Sequence, residues 1–390
     1  MTATFRPTEQ DTDHGSRGQH AVADPALTGR PVRVFVVAPS LRILGGQAIQ
    51  AQRLMAHLRR TPGIEVGFVP HNPALPAPFD RLQRVKLVRT VVTTAAYLLL
   101  LLWRLRRADV IHVFSAAYWS YFLGPMLAIL VGRAYGKQVV LNYRSGELEE
   151  HLATWPRFIT WTMGLATRRI TPTPYLTGVY AKFGLDAQVI PNYLDLEHHT
   201  YRVRDPLRPV FLINRLFEPL YNYPCSLGAF QRIQARVPEA RLIIAGYGPL
   251  REQILQWIEE LGLRNVDFRG KVTHPEMMRL YQEADVYLNS PNIDCFPSSI
   301  LDAFACGMPV VTTNAGGTRF IVEHERTGLM VETGDAEGLA ANALRLLADP
   351  DYARRLAAAG REELERRYVW EVIGPQWERT YRELAAAARR

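Results

Sequence analysis

The chain has 390 residues, 48% of them apolar and 22% charged, with only three cysteines. That length exceeds one hydrophobic core, which stops growing near ~250–300 residues, and the apolar share excludes wholesale disorder. Cys225, Cys295 and Cys306 form no C-x-x-C pair, which excludes a disulfide framework or a zinc ribbon. The net charge of +8 points to an anionic partner. Residues 29–190 hold 20 Lys and Arg against 7 Asp and Glu, a net +13, whereas residues 191–390 hold 24 against 27, a net −3. A partner with a negative face should therefore meet the first half of the chain.

Residues 1–29 are polar, without apolar periodicity or a signal-peptide core, and read as a disordered tail. Order is expected from Val32, where "VRVFVVAPS" suits a buried parallel strand, followed by the glycine loop "LRILGGQAIQ" and a helix over 51–60. The uncharged run Thr90–Trp103 is short of the ~20 residues a spanning helix needs. Arg81, Arg84, Lys86 and Arg89 precede it, and Arg104, Arg106 and Arg107 follow. Two readings stand for it: a buried core helix, or a helix near 81–107 resting on anionic lipid through its basic flanks. A second uncharged run, Val110–Gly132, splits at Gly124 and Pro125 into a strand and a helix.

The strand "QVVLNY" continues the alternation, and "IPNYLDLEHHTYRVRDPLRPV" reads as an interdomain linker. Strands "VFLIN", "RLIIAG", "VDFRG", "DVYLNS" and "PVVTT" then alternate with helices, ending in two terminal helices. The predicted fold is α/β, with two doubly wound Rossmann-like domains. The expected boundaries are a first domain over 30–195, a second over 196–375 and a closing helix over 376–390.

Ligands of open α/β sheets bind beyond the carboxyl ends of the strands. That selects the loops Leu44–Gln47, Asn142–Glu147, Asn214–Asn222 and Asn292–Ser299, with Gly246 and Gly248 in a fifth. In "NSPNIDCFPSSILDAFACGMPVV", Ser298 and Ser299 open a helix whose polarised N–H groups suit phosphate oxygens. Asp294 and Asp302 flank that helix start, placed to meet sugar and ribose hydroxyls. Equally, Asp294 reads as a solvated loop residue and Asp302 as a surface acid complementing the helix dipole. His198 and His199 in the linker read as solvated, Cys295 and Cys306 as small buried packing residues, and Trp370, Trp377 and Tyr381 as packing of the closing helix. The D-x-D strings, Asp11–Asp13 and Asp349–Asp351, fall in the tail and in a late surface turn, so no metal site is expected.

From Val210 to Tyr381 the chain resembles the retaining GT-B glycosyltransferases that carry an acidic pair spaced E-x7-E (glycosyl transferase family 4, group 1-like). The pieces that carry the resemblance are "NRLFEPLYN", "LIIAGYGPL", "VDFRGKV", "LYQEADVYLNSPNIDCFPSSILDAFACGMPVVTTNAGG" and "RTGLMVETGD". The first half matches more loosely, through "GGQAIQAQRLMAHL", "GKQVVLNYRSGE" and "VIPNYLDLE". The resemblance implies two domains facing across a cleft and transfer of a sugar, with retention, from a nucleotide-diphosphate sugar to a hydroxyl of a glycan or lipid-linked acceptor.

It puts Asp294 near the transferred sugar, Asp302 on the donor ribose and Arg215 on the diphosphate, with Asp294 and Arg215 as the catalytic pair. Gly45, Gly46, Gly246 and the backbone of Phe296, Pro297, Ser298, Ser299 and Ile300 would line the donor, and Gly270 to Val272 would read the base. Arg144 and Glu147 stand on the acceptor side. Both acids are aspartates here, and Leu220, Tyr221 and Asn222 occupy the place of the family's lysine.

The resemblance implies neither cofactor nor metal. With the basic first half it gives a peripheral enzyme on the cytoplasmic face of the cell membrane. Two other readings are carried: a nucleotide-sugar epimerase on the same fold, and a non-catalytic scaffold of a polysaccharide-assembly complex. A nucleic-acid partner is not expected, because the basic residues flank an apolar run instead of interleaving with aromatics.

Overall fold

A computed structural model describes residues 30–40, 46–74, 86–115 and 117–389. The expected tail, Gly45, Arg81 and Arg84 lie outside the described residues. The chain runs β1 (Val32–Ala38), α1 (Gly46–Leu58), β2 (Ile64–Pro70), α2 (Lys86–Arg104), β3 (Val110–Ser115), α3 (Trp119–Leu123), α4 (Pro125–Ala134) and β4 (Gln138–Tyr143). It continues through α5 (Leu148–Thr154), α6 (Pro156–Gly164), β5 (Arg168–Thr171), α7 (Pro174–Lys182) and β6 (Gln188–Val189). The second half holds β7 (Val210–Ile213), α8 (Tyr223–Arg236), β8 (Arg241–Ala245), α9 (Arg251–Glu260), β9 (Val266–Gly270), α10 (His274–Glu283) and β10 (Val286–Asn289). It ends with α11 (Ser298–Ala305), β11 (Val310–Thr313), β12 (Leu329–Val331), α12 (Ala336–Ala348), α13 (Pro350–Arg367) and α14 (Trp370–Arg389).

Two six-stranded sheets form, ordered β2-β1-β3-β4-β5-β6 and β12-β11-β10-β7-β8-β9, and the strand pairs are parallel. Helices cover both faces of each, which is why a strand such as β7 reads as an unbroken apolar run (VFLI) and why β3 and β4 bury even His112 and Asn142. In the first sheet, Ile111 and Val113 point to the layer of α2, α4 and α6, while Val110 and Phe114 point to the opposite face with α1 and α14. Tyr97, Leu101 and Leu105 bury one side of the α2 segment in that core, and Val91, Leu99, Leu102 and Trp103 stay exposed. The run is thus half core and half surface. Among the described residues no helix is long and apolar enough to cross a membrane.

Three helices close the chain where two were expected. Asp349 caps α13 by accepting from the Tyr352 amide at 2.8 Å, and Pro350 begins the new helix because its missing N–H is no loss there. The last helix starts at Trp370 and returns to the first domain. Trp377 and Tyr381 are buried in its core, as the aromatic spacing suggested, while Trp370 packs against its edge. Two chain crossings therefore join the domains, and they touch: the Leu194 amide donates to the Tyr368 carbonyl at 2.8 Å.

Candidate functional site

The carboxyl ends of both sheets face one cavity of about 400 Å³, within the range of small-ligand sites. Gly46, Gln47, Gln50 and Arg144 line it from the first domain and Asn192 from the crossing. Asn214, Arg215, Tyr221, Gly246, Val272, Asp294, Cys295, Phe296, Ser298 and Ser299 line it from the second. The loops after β4 and β5 touch the second domain directly: Thr173 Oγ1 donates to the Cys295 carbonyl at 3.0 Å.

Arg215 leaves the end of β7 and is held on three sides. Nη2 donates to Asp294 Oδ2, Nη1 donates to Ser299 Oγ at 2.6 Å, and the guanidinium lies 4.2 Å from the Tyr221 ring centroid. Tyr221, in the stretch that lacks the family's lysine, thus contributes a π face instead of a second cation. Burial opposes the Arg215 charge, but Asp294 beside it outweighs that, and its pKa lies above the ordinary value. Asp294 is locked in turn, since Oδ1 accepts from the Phe296 amide at 3.0 Å and its carbonyl accepts from Gly317 at 2.7 Å. It is no solvated loop residue.

Ser299 is fixed by Tyr287, whose hydroxyl donates to Oγ at 2.7 Å. Ser298 and Ser299 set the first turn of α11 on the cavity wall, so the positive end of that helix faces it. Ile300 turns into the core, and its amide goes to the Pro297 carbonyl at 2.9 Å. Pro297, the residue before the helix, is buried and off the wall. Gly246 lets the β8 loop approach Arg215: a Cβ there would stand 2.1 Å from the Arg215 carbonyl oxygen.

Arg144 faces inward. Nε donates to Asn142 Oδ1 at 2.9 Å, Nη1 has no partner, and burial lowers its pKa to about 10. The same amide's Nδ2 donates to His112 Nε2 at 2.8 Å, and His112 Nδ1 lies 2.6 Å from the Tyr381 hydroxyl, so the cavity is wired to α14. Burial, then the Arg144 charge, holds His112 well below its ordinary pKa, in keeping with a ring nitrogen that accepts. Glu147 stays off the wall and receives the Ser145 hydroxyl at 3.3 Å.

Asp302 also lies off the wall, paired with His199. Of the two linker histidines expected to be solvated, His198 is exposed, but the His199 side chain is buried and its Nε2 lies 2.9 Å from Asp302 Oδ1. Cys306 is buried as expected, whereas Cys295 sits half-buried on the cavity wall, its thiol pushed up to about 12 by burial and by Asp294. Among the described residues no cluster of His, Cys, Asp and Glu could hold a metal ion.

Sequence reasoning did not single out Asn192, and it named Asn214 only as the start of a ligand loop and Tyr221 only as standing where the family's lysine would be. Their polar atoms matter, because Asn192 Oδ1, Asn214 Oδ1, Arg215 Nε and Arg144 Nη1 are buried at the cavity without a protein partner. Leaving such groups unpaired costs ~1–3 kcal/mol each, so the cavity is built for a polar ligand with both donors and acceptors.

A profile described as Glycosyl transferases group 1 matches residues 203–363. The chain is 32% identical over 206 residues to N-acetyl-alpha-D-glucosaminyl L-malate synthase of Bacillus anthracis, covering 50% of this chain and 53% of that protein. It spans about half the length of that relative. It is 31% identical over 287 residues to glycogen synthase of Mycobacterium tuberculosis, covering 70% of this chain and 69% of that one. The Anabaena protein HepE, solved in complex with UDP and glucose, superposes with a TM-score of 0.70 at 16% identity, over 89% of this chain and 98% of its own. That likeness shows the fold: two Rossmann-like domains facing across a cleft.

Proposed function

Because the chain belongs to the group 1 glycosyl transferases, we propose that it moves a sugar from a nucleotide-diphosphate sugar to a hydroxyl of a glycan or lipid-linked acceptor. The observation that carries this reading is the cavity itself, with Arg215, the start of α11 and four orphaned polar atoms converging on it. The donor diphosphate is placed against the first turn of α11 and Arg215, and the sugar between Asp294 and Arg144.

In the reaction the bond from the anomeric carbon to the phosphate oxygen breaks, and the acceptor oxygen bonds to that carbon. The acceptor's proton leaves on a diphosphate oxygen. Negative charge grows on the leaving group, where Arg215 and the helix amides already point, so they stabilise it without reorganising. Arg215 keeps its charge, which is what a phosphate clamp needs.

Asp294 is the one carboxylate among the described wall residues, and it is committed to Arg215 and the Phe296 amide. It orients sugar hydroxyls and is not placed as a free nucleophile. The reading takes the transfer as retaining, with the acceptor delivered on the leaving-group face. The commitment of Asp294 supports it by leaving no described wall carboxylate free to form a glycosyl-enzyme bond. The cationic roles fall to arginines, and the reaction as drawn uses no metal.

The basic first domain and the exposed α2 side chains Val91, Leu99, Leu102 and Trp103 support peripheral attachment, through the region near 81–107, to the cytoplasmic face of the membrane and a lipid-linked acceptor in cell-surface glycan synthesis. Calorimetric titration with nucleoside diphosphates and their sugars tests the donor site, followed by product analysis with candidate acceptors. Nucleotide-sugar binding that Arg215→Ala abolishes is the expected result. Donor conversion without any acceptor would favour the epimerase reading, and no nucleotide binding at all the scaffold reading.

A further inference from the structure

Away from the cleft, the first domain carries a surface that the donor site leaves unexplained. Trp119 is 72% exposed, Trp161 56%, Trp155 52% and Phe158 44%. Their rings are continuous through Phe122, which lies 6.1 Å from Trp119, 5.4 Å from Trp155 and 6.2 Å from Phe158, with Trp161 6.1 Å beyond Phe158. Large rings dominate burial energetics, so several left in water side by side mark an interaction surface.

The exposure is built into the fold. The next residues of α3 and α6 are firmly buried: Tyr121 Oη and Thr162 Oγ1 lie 2.7 Å apart in the core, with Ile159 and Met163 beside them. The same helices that bury one side thus present aromatic rings on the other. The patch shares its layer with the exposed stripe of α2, because α4 lies between and touches both. Tyr97 of α2 donates to the Gly124 carbonyl at 3.1 Å, and Tyr135 after α4 donates to the Leu102 carbonyl at 3.0 Å.

Charge identifies the occupant. Arg106, Arg107, Arg133 and Arg157 are exposed on this layer. Arg104 and Arg107 line a cavity of about 160 Å³ with Trp103, Phe35 and Gly67. Of the nearby acids on α5, Glu149 is paired with Lys182 at 2.7 Å, and Glu150 hydrogen-bonds Tyr118. A second copy meeting the patch face to face would bring like-charged arginines together. Tryptophan rings prefer the headgroup zone of a bilayer, and arginines beside them prefer anionic lipid.

We propose that the α2–α3–α6 layer is a membrane-docking surface for an anionic bilayer, with Trp119, Trp155 and Trp161 seated at headgroup level and a lipid phosphate in the Arg104–Arg107 cavity. This rests on the peripheral-membrane part of the proposed function and extends it from one helix to a whole face. Docking there lays the sheet's outer layer flat on the membrane and leaves α1 and α14 on the side away from it.

The test is co-sedimentation of the full chain with phosphatidylcholine vesicles and with mixed phosphatidylcholine–phosphatidylglycerol vesicles. The triple variant Trp119→Ser, Trp155→Ser, Trp161→Ser should partition ~10-fold more weakly into mixed vesicles. Arg104→Gln with Arg107→Gln should remove the preference for the anionic mixture. Tryptophan emission of the wild type should shift to the blue on adding vesicles, and nucleotide titration reports that each variant keeps its donor site.

Wild-type partitioning by the triple variant overturns the proposal. So does self-association of the wild type that the triple variant abolishes. Vesicle binding lost only on Leu99→Ser would overturn the aromatic face while leaving attachment by α2. A wild type that ignores all vesicles overturns both membrane readings but not the donor site.

Discussion

His199 Nε2 and Asp302 Oδ1 lie 2.9 Å apart across 103 residues of sequence, with the His199 side chain only 1% exposed. The crossing between the domains therefore reaches back to the helix that follows the donor loop. His199 Nδ1 lies 3.1 Å from the Asp195 carbonyl, so the ring is fixed at both nitrogens and in turn fixes the carboxylate. If Asp302 reads the donor ribose, His199 is its positioning residue.

His199→Ala should raise KM for the nucleotide sugar by ~10-fold with kcat little changed, because it loosens Asp302 without touching the leaving group. Asp302→Asn should do the same. Steady-state kinetics with varied donor separate the two constants, and an equal fall in kcat would place the pair in the chemical step instead.

Arg215→Lys keeps a cation but cannot hold Ser299 Oγ and Asp294 Oδ2 at once, since an ammonium lacks the planar fork. Transfer should fall ~100–1,000-fold in kcat/KM. Asp294→Asn, which still accepts from the Phe296 amide, should be milder in fold stability than Arg215→Ala, which leaves a buried carboxylate unpaired. Thermal unfolding of both variants beside the transfer assay checks the order.

Gly246→Ala puts a methyl 2.1 Å from the Arg215 carbonyl oxygen and 2.8 Å from the Phe217 ring. Main chain must move, so destabilisation of ~1–3 kcal/mol is expected together with weaker nucleotide binding. Denaturant titration gives the first and calorimetry the second. A variant stable as wild type would show that the loop has room the geometry denies.

Asp285 stands at the amino end of β10, an interior strand of the second sheet, with its side chain fully buried. Oδ1 pairs with Arg202 and lies 2.9 Å from Arg208 Nη2, while Oδ2 accepts from the Arg208 amide at 2.7 Å. Burial pushes its pKa up, but the hydrogen bonds from Arg208 and Arg202 win and hold it below the ordinary carboxylate value. A carboxyl depressed on folding adds stability above its unfolded value and loses it as pH falls through the folded one. Wild type should therefore weaken in acid below about pH 4 more steeply than Asp285→Asn, which should itself cost ~3–5 kcal/mol at neutral pH. Urea midpoints across that range decide it.

Much of the second domain could be read from the chain because its signals are local. A β-branched run such as "PVVTT" and the small polar pair Ser298–Ser299 announce a strand end and a helix start within a few residues. Arg215, Asp294 and Ser299 inherit their meeting point from those boundaries. His199 could not be placed, because its partner is distant and a linker histidine carries no periodicity. Asn192 escaped for the same reason, its contact Ser298 being 106 residues away, whereas Tyr221 was noticed only as a missing lysine because nothing local shows its ring under Arg215. The aromatic face escaped differently: Trp119 and Trp377 look alike in sequence, and only packing decides that one is exposed and the other buried.

The return of α14 has a consequence for synthesis. One face of the first sheet, with Val34, Val36, Val110 and Phe114, is covered in part by Trp377 and Tyr381. Those two residues leave the ribosome only after the whole second domain. Until then the nascent first domain shows an apolar sheet face to whatever is near, and the Asn142–His112 pair waits for the Tyr381 hydroxyl. The half that begins first is completed last.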